Sequence, residues 1–291
     1  MKSKILIIGH EGYNRNRVLP VLEAFKKQYD VDMLYVDDGW PEEIADIANH
    51  EQYRAIIWFV GFKHLTRKKP FLWGNFKGKR VMYDWDVYMN YSTFAGDKYF
   101  GCWPETFKRQ EFDTLVTTGK YVRDRLESDG VNAVWIPKGF DGNRFKNECK
   151  NRDGICFYGR PYKDRANMLD VVELDGWNVN KIRCNYFYLS VELNKYFGCV
   201  MDNGIEPMAK HFEVSASGCA PITNDIDELY SLGFEDGKTM IVYDSHDELL
   251  DELNHYYNHK DQLQAIGLFA SKLAKKEHTW EKRVDMFKSV L

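Results

Sequence analysis

Short apolar runs alternate with segments of helical spacing along the first third of the chain. Lys4–Gly9 (KILIIG) is an apolar run closed by glycine. Val31–Asp37 (VDMLYVD), Ala55–Gly61 (AIIWFVG), Arg80–Trp85 (RVMYDW) and Thr114–Thr117 repeat the pattern. Runs this short and this uniformly apolar predict strands buried on both faces, as in parallel sheets. Between the first two, Val18, Leu22 and Phe25 share one helical face over about Asn16–Tyr29. Pro20 falls in the first turns of that helix, where its missing N–H is tolerated. Strands separated by helix-length segments predict βαβ units.

The middle of the chain, FDTLVTTGKYVRDRLESDGVNAVWIPKGFDGNRF, predicts a strand, a helix capped by Thr117 or Thr118, a second strand and a Pro/Gly-rich exit. The polar stretch Lys146–Asp153 (KNECKNRD) predicts a linker, and Gly154–Gly159 (GICFYG) restarts the strand–helix alternation. A helix over about Lys163–Glu173, a strand at Thr239–Tyr243 and helices near 246–257 and 260–275 follow. The expected architecture is α/β, with two Rossmann-like doubly wound domains facing a cleft. The expected boundaries are 1–147 and 148–277, with a last helix over 278–291 returning toward the N-terminal domain.

Composition narrows the class. The 291 residues carry 40 Lys+Arg against 44 Asp+Glu, a formal charge of −4, which excludes a strongly basic nucleic-acid coat protein. With 44% apolar and 15% aromatic residues, a packed core is expected rather than disorder. No apolar run approaches the roughly 18 residues of a membrane span, and the N-terminal apolar stretch is too short for a signal-peptide core. The six cysteines show no CxxC and no metal-ligand spacing, so they read as reduced thiols in a cytoplasmic protein.

Parallel α/β sheets bind ligands at the carboxyl ends of their strands, where glycines let the backbone approach and helix N-termini favour anions. Three segments fit. Gly9-His10-Glu11-Gly12 follows the first strand but lacks the GxGxxG dinucleotide fingerprint. Gly159-Arg160-Pro161-Tyr162-Lys163-Asp164-Arg165 places three cations at a helix start, suited to a diphosphate. Asn203-Gly204-Ile205-Glu206-Pro207 leads into a helix carrying Lys210 and Glu213.

That third segment continues KHFEVSASGCAPITNDIDELYSLGFEDGKTMIVYDSHDELLDEL, with KEHTWEKR later. From Phe112 to Leu291 the chain resembles the retaining GT-B glycosyltransferases, most of all the CgeB-like, family-4-type branch. The shared features are a basic residue before an FE pair, small residues and a glycine, an acidic helix and a terminal HT…R. The resemblance implies a nucleoside-diphosphate sugar as co-substrate, UDP-linked by preference, with no cofactor and no bound metal. It implies that Glu213 accepts hydrogen bonds from ribose hydroxyls and that Lys210 stands where the family has a cation on the pyrophosphate. Arg160, Lys163 and Arg165 would join Lys210, with Gly9, Gly12 and Gly204 lining the donor site. Glu206 is the candidate catalytic carboxylate of this domain, yet six residues separate it from Glu213 where the family has seven. That departure motivates a different reading, a GT-B-shaped binding protein without catalysis. His211 and His278 read as structural.

Acceptor contacts are expected in the N-terminal domain. Asp84 and Asp86, in MYDWDVYMNY, are candidates to orient or deprotonate an acceptor hydroxyl, with helix capping as the competing role. Lys63 to Met82 holds seven basic residues and no acidic one, with Phe71, Trp73 and Phe76 interleaved. Lys63, Arg67, Lys68, Lys69 and Trp73 therefore read as acceptor-binding, offering phosphate contacts and a stacking surface. Abundant Lys, Asn, Tyr and Phe give the flavour of an AT-rich genome such as a phage's. The expected acceptor is a hydroxymethylated pyrimidine extruded from double-stranded DNA. A cell-surface glycan, lipid or protein acceptor is the alternative.

Overall fold

The computed structural model describes residues 4–10, 15–36, 47, 50–59, 61, 65, 70–92, 99–149, 151–161, 164–202 and 204–291. In chain order the first part comprises β1 (Lys4–His10), α1 (Arg15–Gln28), β2 (Asp30–Val36), β3 (Ala55–Phe59) and β4 (Lys79–Asp84). It continues with α2 (Trp103–Arg109), β5 (Thr114–Thr117), α3 (Lys120–Ser128) and β6 (Ala133–Trp135). The second part runs β7 (Ile155–Tyr158), α4 (Asp164–Leu174), β8 (Val179–Ile182), α5 (Leu189–Leu193), β9 (Gly198–Met201) and α6 (Ala209–Ala216). Then come β10 (Ala220–Asn224), α7 (Asp227–Ser231), β11 (Ile241–Tyr243), α8 (His246–Asn258) and α9 (Lys260–Glu277). A last helix, α10 (Trp280–Met286), follows.

Two compact units result: residues 1–138 with 280–291, and residues 139–279. In the first unit six parallel strands form one sheet in the order β2-β1-β3-β4-β5-β6. Alternate residues of each strand feed opposite faces. Leu6, Ile8, Ile56, Trp58 and Met82 pack with Trp73, Trp103 and Phe112 on one side. Ile5, Ile7, Ile57, Val81 and Tyr83 pack on the other with Leu22 and Phe25 of α1 and with Trp280, Val284 and Phe287 near the C-terminus. Arg283 Nε donates to Lys138 O at 3.1 Å, and Lys27 pairs with Glu281 at 2.5 Å, fixing α10 on this unit.

In the second unit five parallel strands run β11-β10-β9-β7-β8. The chain leaves β7 toward β8 and then crosses back to β9 on the other side of β7. The order therefore reverses between β7 and β9, the place where such sheets open a crevice at their carboxyl ends.

Two local expectations are corrected. Neither Thr117 nor Thr118 caps α3: Thr117 ends β5, Thr118 Oγ1 donates to Trp85 O, and the N-cap is Gly119. The polar 146–153 stretch does not run as a loose tether. Asn194 Oδ1 accepts from the Glu148 and Cys149 amides at 2.9 and 3.0 Å, and buried Arg152 bonds Asn147 and Asn194.

Helix α9 closes onto the end of α6 through two glycines. Gly218, at φ +75°, follows the α6 C-cap, as a left-handed residue there usually does. A Cβ on Gly267 would lie 2.4 Å from Gly218 O. Gly267→Ala is expected to lower the stability of this unit by ~1–3 kcal/mol through overpacking, outweighing the ~1 kcal/mol gain in helix propensity. Urea unfolding checks it, and an unchanged midpoint would refute the backbone clash.

Candidate functional site

Helix α6 begins at the carboxyl end of β9 and is buried from Lys210 to Ala216. Polar residues on such a helix need partners or a purpose. His211 supplies the scaffold: its Nδ1 accepts from the Met208 amide at 2.9 Å and its Nε2 faces Thr223 Oγ1 at 3.2 Å. Thr223 in turn donates to Asn224 O, which ties the imidazole to the end of β10. Ser215 and Ser217 hydroxyls bond back to the His211 and Glu213 carbonyls at 2.6 and 2.9 Å. His211 is thus structural, and so is His278, which is buried against the rings of Phe212 and Phe234.

This scaffold fixes Lys210 and Glu213, three residues apart on one helix and therefore on one face. Lys210 is 9% exposed. Its pKa is pushed down to about 7 by burial and then by the positive charge of Arg165; Asp202 and Glu213 oppose the shift more weakly. The loop after β7 comes close to it, since a Cβ on Gly159 would sit 3.4 Å from Lys210 Nζ. Arg165, in the first turn of α4, donates from Nε to Asp202 O, joining the loops that follow β7 and β9. Arg160 is exposed beside Gly159. Glu213, 1% exposed, accepts from the Tyr186 hydroxyl at 3.0 Å through Oε1. The Arg144 guanidinium lies 4.9 Å over the Tyr186 ring and 4.6 Å over that of Phe187.

The result is a buried ammonium, a second cation and an open glycine backbone at the reversal point of the sheet, with a buried carboxylate one helical turn on. Such a set suits an anion joined to a diol. Glu206 is buried in the loop between β9 and α6. Gly204, in the same loop, has φ +74° with open space where a Cβ would stand, so its glycine answers to backbone conformation. Asn224 Nδ2 donates to Gly204 O at 3.0 Å. Lys163 lies outside the described residues.

Candidates in the first unit fare differently. Gly9 makes room for a neighbour: a Cβ there would come within 2.6 Å of Met33 Cε on β2. Asp84, 3% exposed at the end of β4, accepts from the Asp86 amide at 3.0 Å and so holds the turn that follows. Asp86 precedes a short 3₁₀ turn (Val87–Asn90) to which its side chain makes no capping bond. Gly12, Lys63, Arg67, Lys68 and Lys69 lie outside the described residues.

Trp73 is corrected. It is 3% exposed, its Nε1 donates to Gln110 O at 2.8 Å, and its ring packs on Phe71, Phe76 and Phe112. Phe71 and Phe76 are buried as well. The interleaved aromatics of the basic segment therefore build the core and leave no stacking surface for a base.

Tyr186 and Arg144 were not anticipated. Tyr186 reaches Glu213 from the turn that follows β8, and Arg144 lies over the rings of Tyr186 and Phe187.

Residues 151–289 match a sequence family described as glycosyl transferase-like. No curated protein matches the chain in sequence. Among solved structures, sucrose-phosphate synthase from Thermosynechococcus elongatus is 14% identical, covering 99% of this chain and 98% of that one at a TM-score of 0.66. Anabaena Alr3699/HepE, solved with UDP and glucose, is 12% identical, covering 99% and 100% at 0.71. A glycosyltransferase from Rickettsia africae is 10% identical, covering 99% and 98% at 0.64. Residues 151–289 are thus glycosyl transferase-like in sequence, and the chain as a whole has the GT-B fold of these structures.

Proposed function

We propose that the protein transfers a sugar from a UDP-sugar to an acceptor hydroxyl, with retention at the anomeric carbon. The observation that carries this reading is Lys210. A nearly buried ammonium between Arg165 and the Gly159 backbone, with no carboxylate within ion-pair reach among the described residues, is costly until an anion arrives. A diphosphate supplies that anion. As the bond from the anomeric carbon to the phosphate oxygen breaks, Lys210, Arg165 and Arg160 take up the charge developing on the departing UDP. Glu213 accepts from the ribose hydroxyls, and Glu206 stands at the donor sugar. HepE, solved with UDP and glucose, supports the choice of nucleotide.

On the acceptor side Asp86 is the carboxylate we assign to orient the hydroxyl. With Phe71, Trp73 and Phe76 packed inward, a glycan, lipid or protein hydroxyl is favoured over a base in DNA. The test gives UDP- and GDP-sugars to the enzyme and follows slow donor hydrolysis, then adds oligosaccharides, glycolipids and hydroxymethylcytosine DNA. Proton NMR of the product reads the anomeric configuration. Tight UDP binding with no turnover on any arm would leave a binding protein. Transfer to the DNA alone would restore the DNA reading.

Lys210 also predicts a pH dependence. Its free-state pKa of about 7 means the ammonium is lost as pH rises past neutrality, whereas a bound diphosphate holds it protonated. UDP affinity is therefore expected to weaken about fivefold from pH 7 to pH 8 and about ninefold from pH 8 to pH 9, with close to one proton taken up on binding at pH 8. Calorimetry at pH 8 in two buffers of different ionisation enthalpy measures that proton. Lys210→Arg, charged throughout, should flatten the profile, and a flat wild-type profile would remove Lys210 from the phosphate site.

A further inference from the structure

At the opposite end of the same sheet lies a cavity that the donor site does not use. It opens where β7, β8 and β9 begin, against the end of α8 and the start of α9, with a volume of about 450 Å³. The strands are parallel and four residues long, so about 13 Å of strand separates it from the carboxyl-end loops. The volume falls within the ~300–1,000 Å³ usual for small-molecule sites.

Its walls are aromatic. Trp177 and Tyr257 meet edge to face, with centroids 5.6 Å apart and planes at 87°, so two ring faces stand at right angles. Tyr257 is 62% exposed, and Phe197 and Tyr256 line the interior. Asn178, Asn254 and Asp175 add polar groups to the lining. At the rim Lys260 lies 3.8 Å from Asp153 and 5.4 Å over the Tyr257 ring, so its charge is already engaged.

We propose that this cavity is a second carbohydrate site, which binds a short neutral oligosaccharide at the amino end of the sheet, away from the donor. A pyranose presents an apolar C–H face and a rim of hydroxyls. The C–H face stacks on the face of one ring, and the ring at right angles to it closes the site beside the sugar. The hydroxyls donate to the Asp175 carboxylate and exchange hydrogen bonds with the two asparagine amides. Two carboxylates against one engaged lysine disfavour a phosphate or any other anion, which separates this site chemically from the cationic one around Lys210. The inference rests on the glycosyltransferase reading only for the use of the sugar, as part of an acceptor chain held beyond its reacting unit.

The test titrates neutral malto-, cello- and chito-oligosaccharides of two to six units into the full chain, read by tryptophan fluorescence and saturation-transfer NMR. UDP affinity is measured on the same samples. At least one series should bind, and Trp177→Ala and Tyr257→Ala should each weaken it by tenfold or more with UDP affinity unchanged. Tyr257 is exposed enough that its variant folds even where the Trp177 variant does not. No binding in any series, or binding that both variants leave intact, would overturn the site. Loss of UDP binding in the wild type alongside intact sugar binding would instead strike at the donor reading.

Discussion

Replacing Arg152 by alanine is expected to remove ~3–5 kcal/mol from the stability of the second unit, the largest stability effect predicted for a single side chain here. Arg152 is 7% exposed and donates to Leu193 O, Tyr196 O, Asn147 Oδ1, Asn194 Oδ1 and Ser217 O at 2.6–3.3 Å. None of these acceptors is a carboxylate. What holds a buried cation here is the geometry of two helices. Leu193 is the last residue of α5 and Ser217 the C-cap of α6, so the guanidinium sits at two carbonyl-rich ends. Burial lowers the Arg152 pKa, but a guanidinium has ample range before it loses its proton. Alanine would leave several buried oxygens without donors, each costing about 1–3 kcal/mol and not fully additive. Arg152→Lys should recover only part of the loss, since one ammonium cannot reproduce the fork. Thermal and urea unfolding of the three proteins decide the matter, and an alanine variant within 1 kcal/mol of wild type would show the network to be dispensable.

The largest expected effect on binding belongs to Glu213→Ala, with UDP affinity falling by about 10- to 100-fold. A charged hydrogen bond contributes ~1.5–3 kcal/mol, and tenfold in affinity corresponds to 1.4 kcal/mol. The carboxylate is poised by the Tyr186 hydroxyl, which occupies Oε1, and by the back-bonded first turn of α6. Glu213→Gln keeps the volume and an acceptor for Tyr186 but gives up the charge, so it should fall between alanine and wild type. Tyr186→Phe should cost less than either. If UDP binds the alanine variant as tightly as wild type, Glu213 belongs to the packing of α6 and not to the site.

Both helix-flanked sheets were visible in the sequence because a strand buried on two faces must be apolar at every position. KILIIG and GICFYG meet that condition with glycine at their ends. The candidate cations and carboxylate of the second unit stood out through the resemblance to GT-B glycosyltransferases, with Lys210 and Glu213 one turn apart after a glycine-containing loop. What could not be read was direction. A stretch of lysines with Phe71, Trp73 and Phe76 among them has the same spelling whether the rings face solvent or core, and only the Gln110 and Phe112 contacts decide it. Thr117 and Thr118 carry cap chemistry, yet α3 starts only at Lys120, so the cap position falls on Gly119. Arg152 looked like linker polarity, since a buried network built on backbone carbonyls leaves no pattern in side-chain spacing. Tyr186 came from an aromatic run, Tyr186–Tyr188, whose neighbours are exposed, with nothing to single it out.

Helix α10 returns the chain to the first unit after the second is complete. Residues 139–279 are contiguous, so the second unit holds all of its own chain before α10 is reached. The first unit does not, because Trp280, Val284, Phe287 and Val290 complete one side of its sheet. The first unit therefore draws on chain from both sides of the second, and its packing cannot follow the usual N-to-C order of domain folding. Until α10 arrives the apolar face around Phe25 and Tyr83 waits uncovered, and a nascent chain paused before Trp280 would present that face to chaperones.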